Sequence, residues 1–113
     1  MLNVDLDIGS MSNYMYDMNV TEREHNVLCQ LVVRERYGLE LVAGSDGLIR
    51  RNTVYVLLGR MEDKGLIEGR DVGAPKGSSG PPRRVYRITG LGERSRAAYE
   101  ASAAIMAASP GVA

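Results

Sequence analysis

The side chains that could do chemistry in this sequence are mainly cationic, and their grouping favours the binding of a polyanion. Nine Lys or Arg residues but only four Asp or Glu residues lie between Arg50 and Arg87, whereas Met1 to Glu24 contains five acids and one base. Since the whole chain has zero formal net charge, this local excess indicates an anionic partner that binds at one place. A basic face that is merely solvated is the alternative explanation.

Side chains suited to catalysis are scarce. The 113 residues include one Cys, Cys29, and one His, His25, which leaves little for a transition-metal site or a His-dependent triad. The glycines between Gly73 and Gly80 lack the strand–helix context of a phosphate-binding loop. We therefore expect no enzyme activity, no metal and no cofactor, with Cys29 as a buried structural thiol and His25 as a surface or interface residue.

Composition predicts one globular domain, since 44% of the residues are hydrophobic and 25% are charged. The single Cys cannot form an internal disulfide, no apolar run is long enough to cross a membrane, and residues 1–10 lack a signal-peptide pattern. A cytoplasmic protein without membrane contact is therefore expected. Residues 1–20, which include a Gly9-Ser10-Met11 junction, are interpreted as an arm that packs on a partner chain or as a frayed or vector-derived lead-in.

Two helices are predicted in the first half of the domain. Thr21 and Glu24 have the spacing of a capping box, and apolar residues at helical spacing follow them. This first helix is expected to end near Tyr37. A short second helix over about 39–43 precedes a turn-rich segment.

The clearest helical period comes next. Val54, Leu57, Leu58 and Met61 lie at i, i+3, i+4 and i+7 and should face the core. They predict a third helix that begins at Arg51 or Asn52 and ends at Lys64. Gly65 is placed to close this helix in a left-handed conformation.

A glycine- and proline-rich stretch separates two short strands. The first strand is predicted over 66–68 and the second over 83–89, so the pair forms a hairpin, or wing. Thr89 is positioned to cap a last helix over 90–108. The order of elements predicts a mainly α fold with a small β-hairpin, namely a winged helix-turn-helix over 21–89 followed by a terminal helix and a tail over 109–113.

Six stretches occur in an order and spacing typical of one protein family. They are Tyr37-Gly38-Leu39-Glu40-Leu41, residues 49–58, Arg60-Met61-Glu62, Lys64-Gly65-Leu66-Ile67, residues 80–89 and Leu91-Gly92. In these stretches the chain resembles the PadR family of bacterial transcriptional regulators, over about Thr21 to Ala108. The family usually has a small residue where Asn52 stands and a Ser or Pro near Arg50 and Arg51, so the resemblance leaves the DNA sequence preference open.

The resemblance implies a homodimer joined mainly through the C-terminal helix, as in the family's short subgroup. The stripe of that helix that would form the dimer interface consists of Leu91, Ala98, Tyr99, Ser102, Ile105 and Met106. Some relatives bind a flat aromatic effector against a Trp of this helix, and this chain has no Trp. For a small aromatic effector, the contact residues we would expect are Tyr99 and Tyr16.

The resemblance also implies that the third helix enters a major groove of double-stranded DNA. Asn52, Thr53 and Val56 are then placed for base edges, with Arg60 beside them. Arg50 and Arg51 precede the helix, where a bound phosphate would offset their unfavourable position in the helix dipole. The remaining expected DNA contacts are two tyrosines and two wing residues, namely Tyr37, Tyr55, Lys76 and Arg83.

The function predicted from these features is a sequence-specific transcriptional regulator, a repressor that binds a pseudo-palindromic operator as a homodimer. A winged-helix adaptor that binds another protein is the alternative, because fold alone does not decide function. The basic residues of the wing and the Arg50-Arg51 pair favour DNA.

Overall fold

The computed structural model describes residues 20–73 and 83–107. The expected N-terminal arm, Tyr16, the wing residue Lys76 and the tail lie outside the described residues. Within the described ranges the chain forms, in order, α1 (Glu22–Val33), β1 (Arg36–Tyr37), α2 (Gly38–Ala43), α3 (Val54–Asp63), β2 (Ile67–Val72), β3 (Arg83–Ile88) and α4 (Gly90–Ala107). The predicted mainly α winged helix-turn-helix with a terminal helix is confirmed. None of the described helices is long and apolar enough to cross a membrane.

The capping box at the start of α1 is present as predicted. The Thr21 hydroxyl accepts from the Glu24 amide at 3.2 Å, and the Glu24 carboxylate accepts from the Thr21 amide at 3.0 Å. The predicted end of this helix near Tyr37 is wrong, because α1 ends at Val33 and the chain extends at Arg34. Residues 36–37 pair instead with β3 as an edge strand that the sequence analysis missed.

Helix α3 begins later than predicted. Residues 51–53 form a turn, closed by a hydrogen bond from the Thr53 amide to the Arg50 carbonyl at 3.2 Å, and the helix starts at Val54. The predicted inward face is confirmed, since Val54, Leu58 and Met61 are inaccessible to solvent and Leu57 is buried. Gly65 has a φ of +79°, which confirms its left-handed conformation after the helix.

The sheet is antiparallel with strand order β1-β3-β2. Strand β2 is longer than the predicted 66–68, because its pairing with β3 continues from Ile67 opposite Ile88 to Val72 opposite Arg83. Tyr86 of β3 is buried in the hydrophobic core, to which α1, α2, α3 and the sheet all contribute residues. The base of the wing therefore shares one hydrophobic core with α3.

The last helix approaches the sheet closely at Gly92. Thr89 caps α4 as predicted, since its hydroxyl accepts from the Gly92 amide at 3.0 Å, and the same hydroxyl donates to the Gly65 carbonyl at 2.6 Å. A Cβ at residue 92 would overlap the Leu66 carbonyl oxygen. Only glycine allows α4 this position.

Replacing Gly92 with alanine is expected to lower the free energy of unfolding by about 1–3 kcal/mol, because the added methyl group meets backbone that cannot move away cheaply. Urea denaturation measures the effect. Gly59→Ala is the matched control: a Cβ at Gly59 in α3 meets nothing within 4 Å, so this change should stabilise the helix by up to about 1 kcal/mol. Equal stability of the two variants would contradict the close approach at residue 92.

Helix α4 packs on α1 through polar and aromatic side chains. The Tyr99 ring stacks on the His25 ring with a centroid distance of 4.3 Å and an interplanar angle of 23°. Cys29 was expected to be a buried structural thiol, and the burial is wrong, because the thiol is half-buried near His25 and Glu100. His25 is half-buried as well.

Candidate nucleic-acid interface

A basic cavity lies beside the N-terminal half of α3. Arginines from three places converge on it: Arg23 from α1, Arg50 from the turn before α3, and Arg60 from α3 itself. The cavity has a volume of about 320 Å³, and Thr53, Val56 and Leu57 complete its lining. Cationic guanidinium groups around a partly apolar floor suit an anionic ligand with flat or methylated parts.

The arginines around this cavity differ from most other cations of the domain in having no carboxylate partner. Six described cations form ion pairs within 4 Å, namely Arg34, Lys64, Arg70, Arg84, Arg87 and Arg96. No such pair involves Arg23, Arg50, Arg51 or Arg60 within residues 20–73 and 83–107. Their positive charge is therefore available to a ligand at one surface.

Arg23 is a member of this surface that the sequence analysis missed. Its Nε donates to the Leu48 carbonyl at 3.1 Å, which fixes the side chain of an α1 residue against the segment that leads into α3. In the sequence Arg23 stands between Glu22 and Glu24, within the acidic N-terminal segment. Neither the local charge nor the hydrophobic period gave a reason to select Arg23. It lies near Arg50 only because α1 packs beside the turn that precedes α3.

The first turn of α3 lacks a side-chain cap. The Thr53 hydroxyl donates to the Arg50 carbonyl at 3.3 Å and makes no cap hydrogen bond, unlike Thr21 at the start of α1. Asn52 and Thr53, expected on the helix, lie in the turn just before it, and both are exposed. Uncapped amides at a helix N-terminus attract anions, so this end of α3 adds to the positive potential of the nearby arginines.

Exposed apolar side chains continue the surface along α3. Val56 is 61% exposed and lines the cavity, while Tyr55 is 53% exposed. The Tyr55 ring lies so close to Gly38 that a Cβ there would overlap it, so the ring packs α3 against the start of α2. The surface thus places a methyl-bearing side chain next to the arginines.

A second group of predicted contacts lies at the base of the wing. The Arg83 guanidinium lies 4.1 Å from the centre of the Tyr37 ring, a cation–π distance. Tyr37 is half-buried, and neither residue is among those that line the α3 cavity. The structure therefore divides the predicted site into an α3 group and a wing-base group.

The other arginines of β3 are neutralised by carboxylates. Arg84 contacts Glu62 at 2.8 Å and Asp71 at 3.0 Å, and Arg87 contacts Glu68 at 2.7 Å. Hydrogen bonds to Glu62 and then to Asp71 raise the pKa of Arg84 above its usual range. These two arginines stabilise the hairpin and leave Arg83 as the wing cation with an exposed, unpaired charge in the described part of β3.

The stripe expected at a dimer interface divides into two parts. Leu91 and Tyr99 pack against the core of their own chain, and Tyr99, one of the expected effector contacts, stacks on His25. Ala98 is half-buried and Ser102 is exposed. Ile105 and Met106 are 66% and 78% exposed, and every described residue of α4 from Glu100 onward is exposed.

Comparison with known proteins places these features in a family. The family model described as "Transcriptional regulator PadR-like family" matches residues 27–98, a range that contains α3 and the described part of the wing. No protein of curated function matches the chain in sequence.

Several solved structures share the fold. A PadR family transcriptional regulator from Eggerthella lenta is 27% identical, with a TM-score of 0.63 over 98% of this chain and 95% of that one. A transcriptional regulator from Thermoplasma acidophilum is 23% identical, with a TM-score of 0.64 over 74% and 82% of the two chains. Bacillus subtilis PadR, solved in complex with operator DNA, is 17% identical, with a TM-score of 0.58 over 68% of this chain and 45% of that one.

Proposed function

The chain belongs to the PadR-like family of transcriptional regulators, and on that premise we propose that it is a sequence-specific DNA-binding repressor that acts as a homodimer. The observation that carries the proposal is the group of arginines without carboxylate partners, Arg23, Arg50, Arg51 and Arg60, at the N-terminal half of α3 within the described structure. A relative, Bacillus subtilis PadR, has been solved with operator DNA, which supports the same class of ligand here.

Phosphate groups are the ligands of the arginines in this proposal. Arg23 and Arg50 line the same cavity beside α3 and would contact the backbone that borders the groove. Arg51 would reach the same strand from the turn. Such contacts position the protein and make binding salt-dependent without reading sequence.

Base edges are the ligands of the exposed side chains between the arginines. Asn52 and Thr53 precede α3 and Val56 lies in its first turn, so all three belong to the end of the helix that enters a groove. Asn pairs with adenine, and a Val methyl packs on a thymine methyl. Arg83 and Tyr37 would hold the wing against the adjacent backbone, with Lys76 and Tyr55 as further contacts.

Replacing Asn52 with alanine is expected to relax specificity at one adenine and to cost about 1–3 kcal/mol on the preferred operator. Affinity for a scrambled duplex should change little, because Asn52 is uncharged. Competition binding with single-base operator variants measures the effect. An unchanged preference at every position would remove Asn52 from base reading.

Dimer formation is assigned to the exposed second half of α4. Met106 and Ser102 are exposed there beyond the residues that pack on the chain's own core. Two recognition helices held in this way would meet half-sites about 34 Å apart on a pseudo-palindromic operator. Sedimentation of the protein and of Met106→Glu tests this assignment: a monomeric wild-type protein would overturn it, and dissociation of the variant alone would support it.

The function itself is tested by fluorescence anisotropy of the chain on its own upstream DNA and on a scrambled duplex, at two salt concentrations. Preference for the native fragment that persists at the higher salt supports a sequence-specific regulator. Equal, salt-sensitive binding to both would mean that the operator lies elsewhere. Absence of binding to both favours the protein-binding adaptor. Increased transcription of a reporter after deletion of the gene would support repression.

A further inference from the structure

Where α1 packs on α4, three side chains bring different metal-binding donors together, and we propose that His25, Cys29 and Glu100 form a binding site for one zinc ion. The sequence offers one His and one Cys, which is why no metal was expected. The fold adds a carboxylate that lies 71 residues from Cys29 in the chain and 75 from His25. This site goes beyond DNA binding and involves none of the residues assigned to it.

The distances between the donors suit a tetrahedral ion. His25 Nε2 lies 2.9 Å from Glu100 Oε2 and 3.3 Å from Cys29 Sγ, and the sulfur lies 3.7 Å from that oxygen. Zinc bonds of about 2.0–2.3 Å in a tetrahedron place N, O and S donors roughly 3.3–3.6 Å apart. A zinc ion therefore fits after shifts of a few tenths of an ångström.

The positions of the ligands follow from the helices that hold them. His25 and Cys29 are four residues apart on α1 and so lie on the same face, one turn from each other. Glu100 projects from α4 onto that face. All three retain access to solvent, since His25 and Cys29 are half-buried and Glu100 is exposed, so an ion can enter without unfolding.

Neighbouring side chains already orient two of the ligands. The Tyr99 ring stacks on His25, which fixes the plane of the imidazole. Arg96 donates to both Glu100 oxygens at 3.0 Å, so Oε1 can keep this hydrogen bond while Oε2 binds the ion. Contacts of this kind commonly support metal ligands.

The donor types favour zinc over other common ions. A thiolate, an imidazole and a carboxylate suit zinc, whereas magnesium and calcium prefer oxygen ligands alone. Three protein ligands leave the fourth position to water. On binding, a Zn–S bond forms and the proton of the Cys29 thiol passes to solvent. A Zn–N bond replaces the hydrogen bond from His25 Nε2 to Glu100, so the neutral imidazole carries its hydrogen on Nδ1 instead. Burial, and then the Glu100 carboxylate, raise the pKa of Cys29, so the metal-free protein does not present the low-pKa thiolate of a redox sensor.

The test is a titration of the full chain with zinc alone, in competition with a chromogenic chelator. We expect one ion per chain, and binding at least tenfold weaker in each of three variants, Cys29→Ser, His25→Gln and Glu100→Gln. Glu93→Gln is the matched control, because it removes the same charge from an exposed position of α4 and should bind zinc like the wild type. Zinc should also raise the melting temperature of the wild type and the control.

Cobalt substitution in the wild type keeps the proposal falsifiable should a variant fail to fold. Bound Co²⁺ should show a sulfur-to-metal charge-transfer band and the d–d spectrum of a tetrahedral site. Lack of stoichiometric binding, or a cobalt complex without the sulfur band, would overturn the site. Full affinity in both His25→Gln and Glu100→Gln would also overturn it, because the thiol would then bind metal without the other two residues. None of these outcomes depends on DNA binding.

Discussion

Neutralising Arg50 and Arg51 together, as Arg50→Gln with Arg51→Gln, is expected to weaken binding to operator DNA by about ten- to a hundredfold at physiological salt. The two side chains are exposed and have no carboxylate partner among the described residues, so the protein loses no internal ion pair when they are changed. Each lost phosphate contact should reduce the slope of log affinity against log salt by about one. Anisotropy titrations at four or more salt concentrations give both quantities.

The control for this variant removes the same charge elsewhere. Arg34→Gln with Arg94→Gln also lowers the net charge by two, but Arg34 follows the last residue of α1 and Arg94 lies in α4, and neither lines the α3 cavity. This pair should change the salt slope little. If both double variants weakened binding equally, general charge attraction would explain the effect, and the surface around α3 would lose its assignment. Unfolding curves of both variants should stay close to that of the wild type, because all four side chains are exposed and the exposed Arg34–Glu40 pair contributes little to stability.

Much of the fold was predictable because its strongest signals are local. Apolar residues at helical spacing in α3 reflect the one face that the helix buries. The capping box of α1 and the positive φ of Gly65 are properties of a few consecutive residues. These features were predicted correctly, since the residues that determine them are neighbours in the chain.

The missed strand and the wrong end of α1 concern features that depend on distant residues. Strand β1 consists of two residues that pair with β3. Two residues are too few to show the alternation of apolar and polar side chains by which a strand is predicted. Helix α1 ends at Val33 because the residues that follow it are extended and lead into the pairing with β3. The Arg36 Nε donates to the Gln30 carbonyl at 3.2 Å, so a residue of the edge strand satisfies a carbonyl near the end of α1. No sequence pattern predicts this contact.

The candidate site shows the same difference between local features and features that depend on distant residues. Arg50 to Thr53 could be selected from the sequence because they precede a recognisable helix. Arg23 could not, since its place beside Arg50 depends on how α1 packs on the turn. Glu100 joins His25 and Cys29 only through the contact of α4 with α1. Sites built from one segment can be predicted in this way, and sites that join segments need the fold.

The buried ion pair between α1 and α3 carries the largest expected effect on stability. Glu24 is 2% exposed, and its two carboxylate oxygens accept from Lys64 Nζ at 3.0 and 2.9 Å. One of them also accepts from the Thr21 amide in the capping box. Lys64 lies just after α3, so this pair connects the start of α1 to the end of α3.

Lys64→Met is expected to lower the free energy of unfolding by about 3–5 kcal/mol, because it leaves the Glu24 carboxylate buried without a cation. This is a large share of the roughly 5–15 kcal/mol that holds a domain together. Urea denaturation measures the loss.

Adding Glu24→Gln to Lys64→Met should recover part of the lost stability, since the uncompensated charge disappears while the capping oxygen remains. Arg87→Met, which breaks an exposed pair with Glu68, should cost much less. A loss in Lys64→Met no larger than in Arg87→Met would mean that water, and not Lys64, compensates the Glu24 charge.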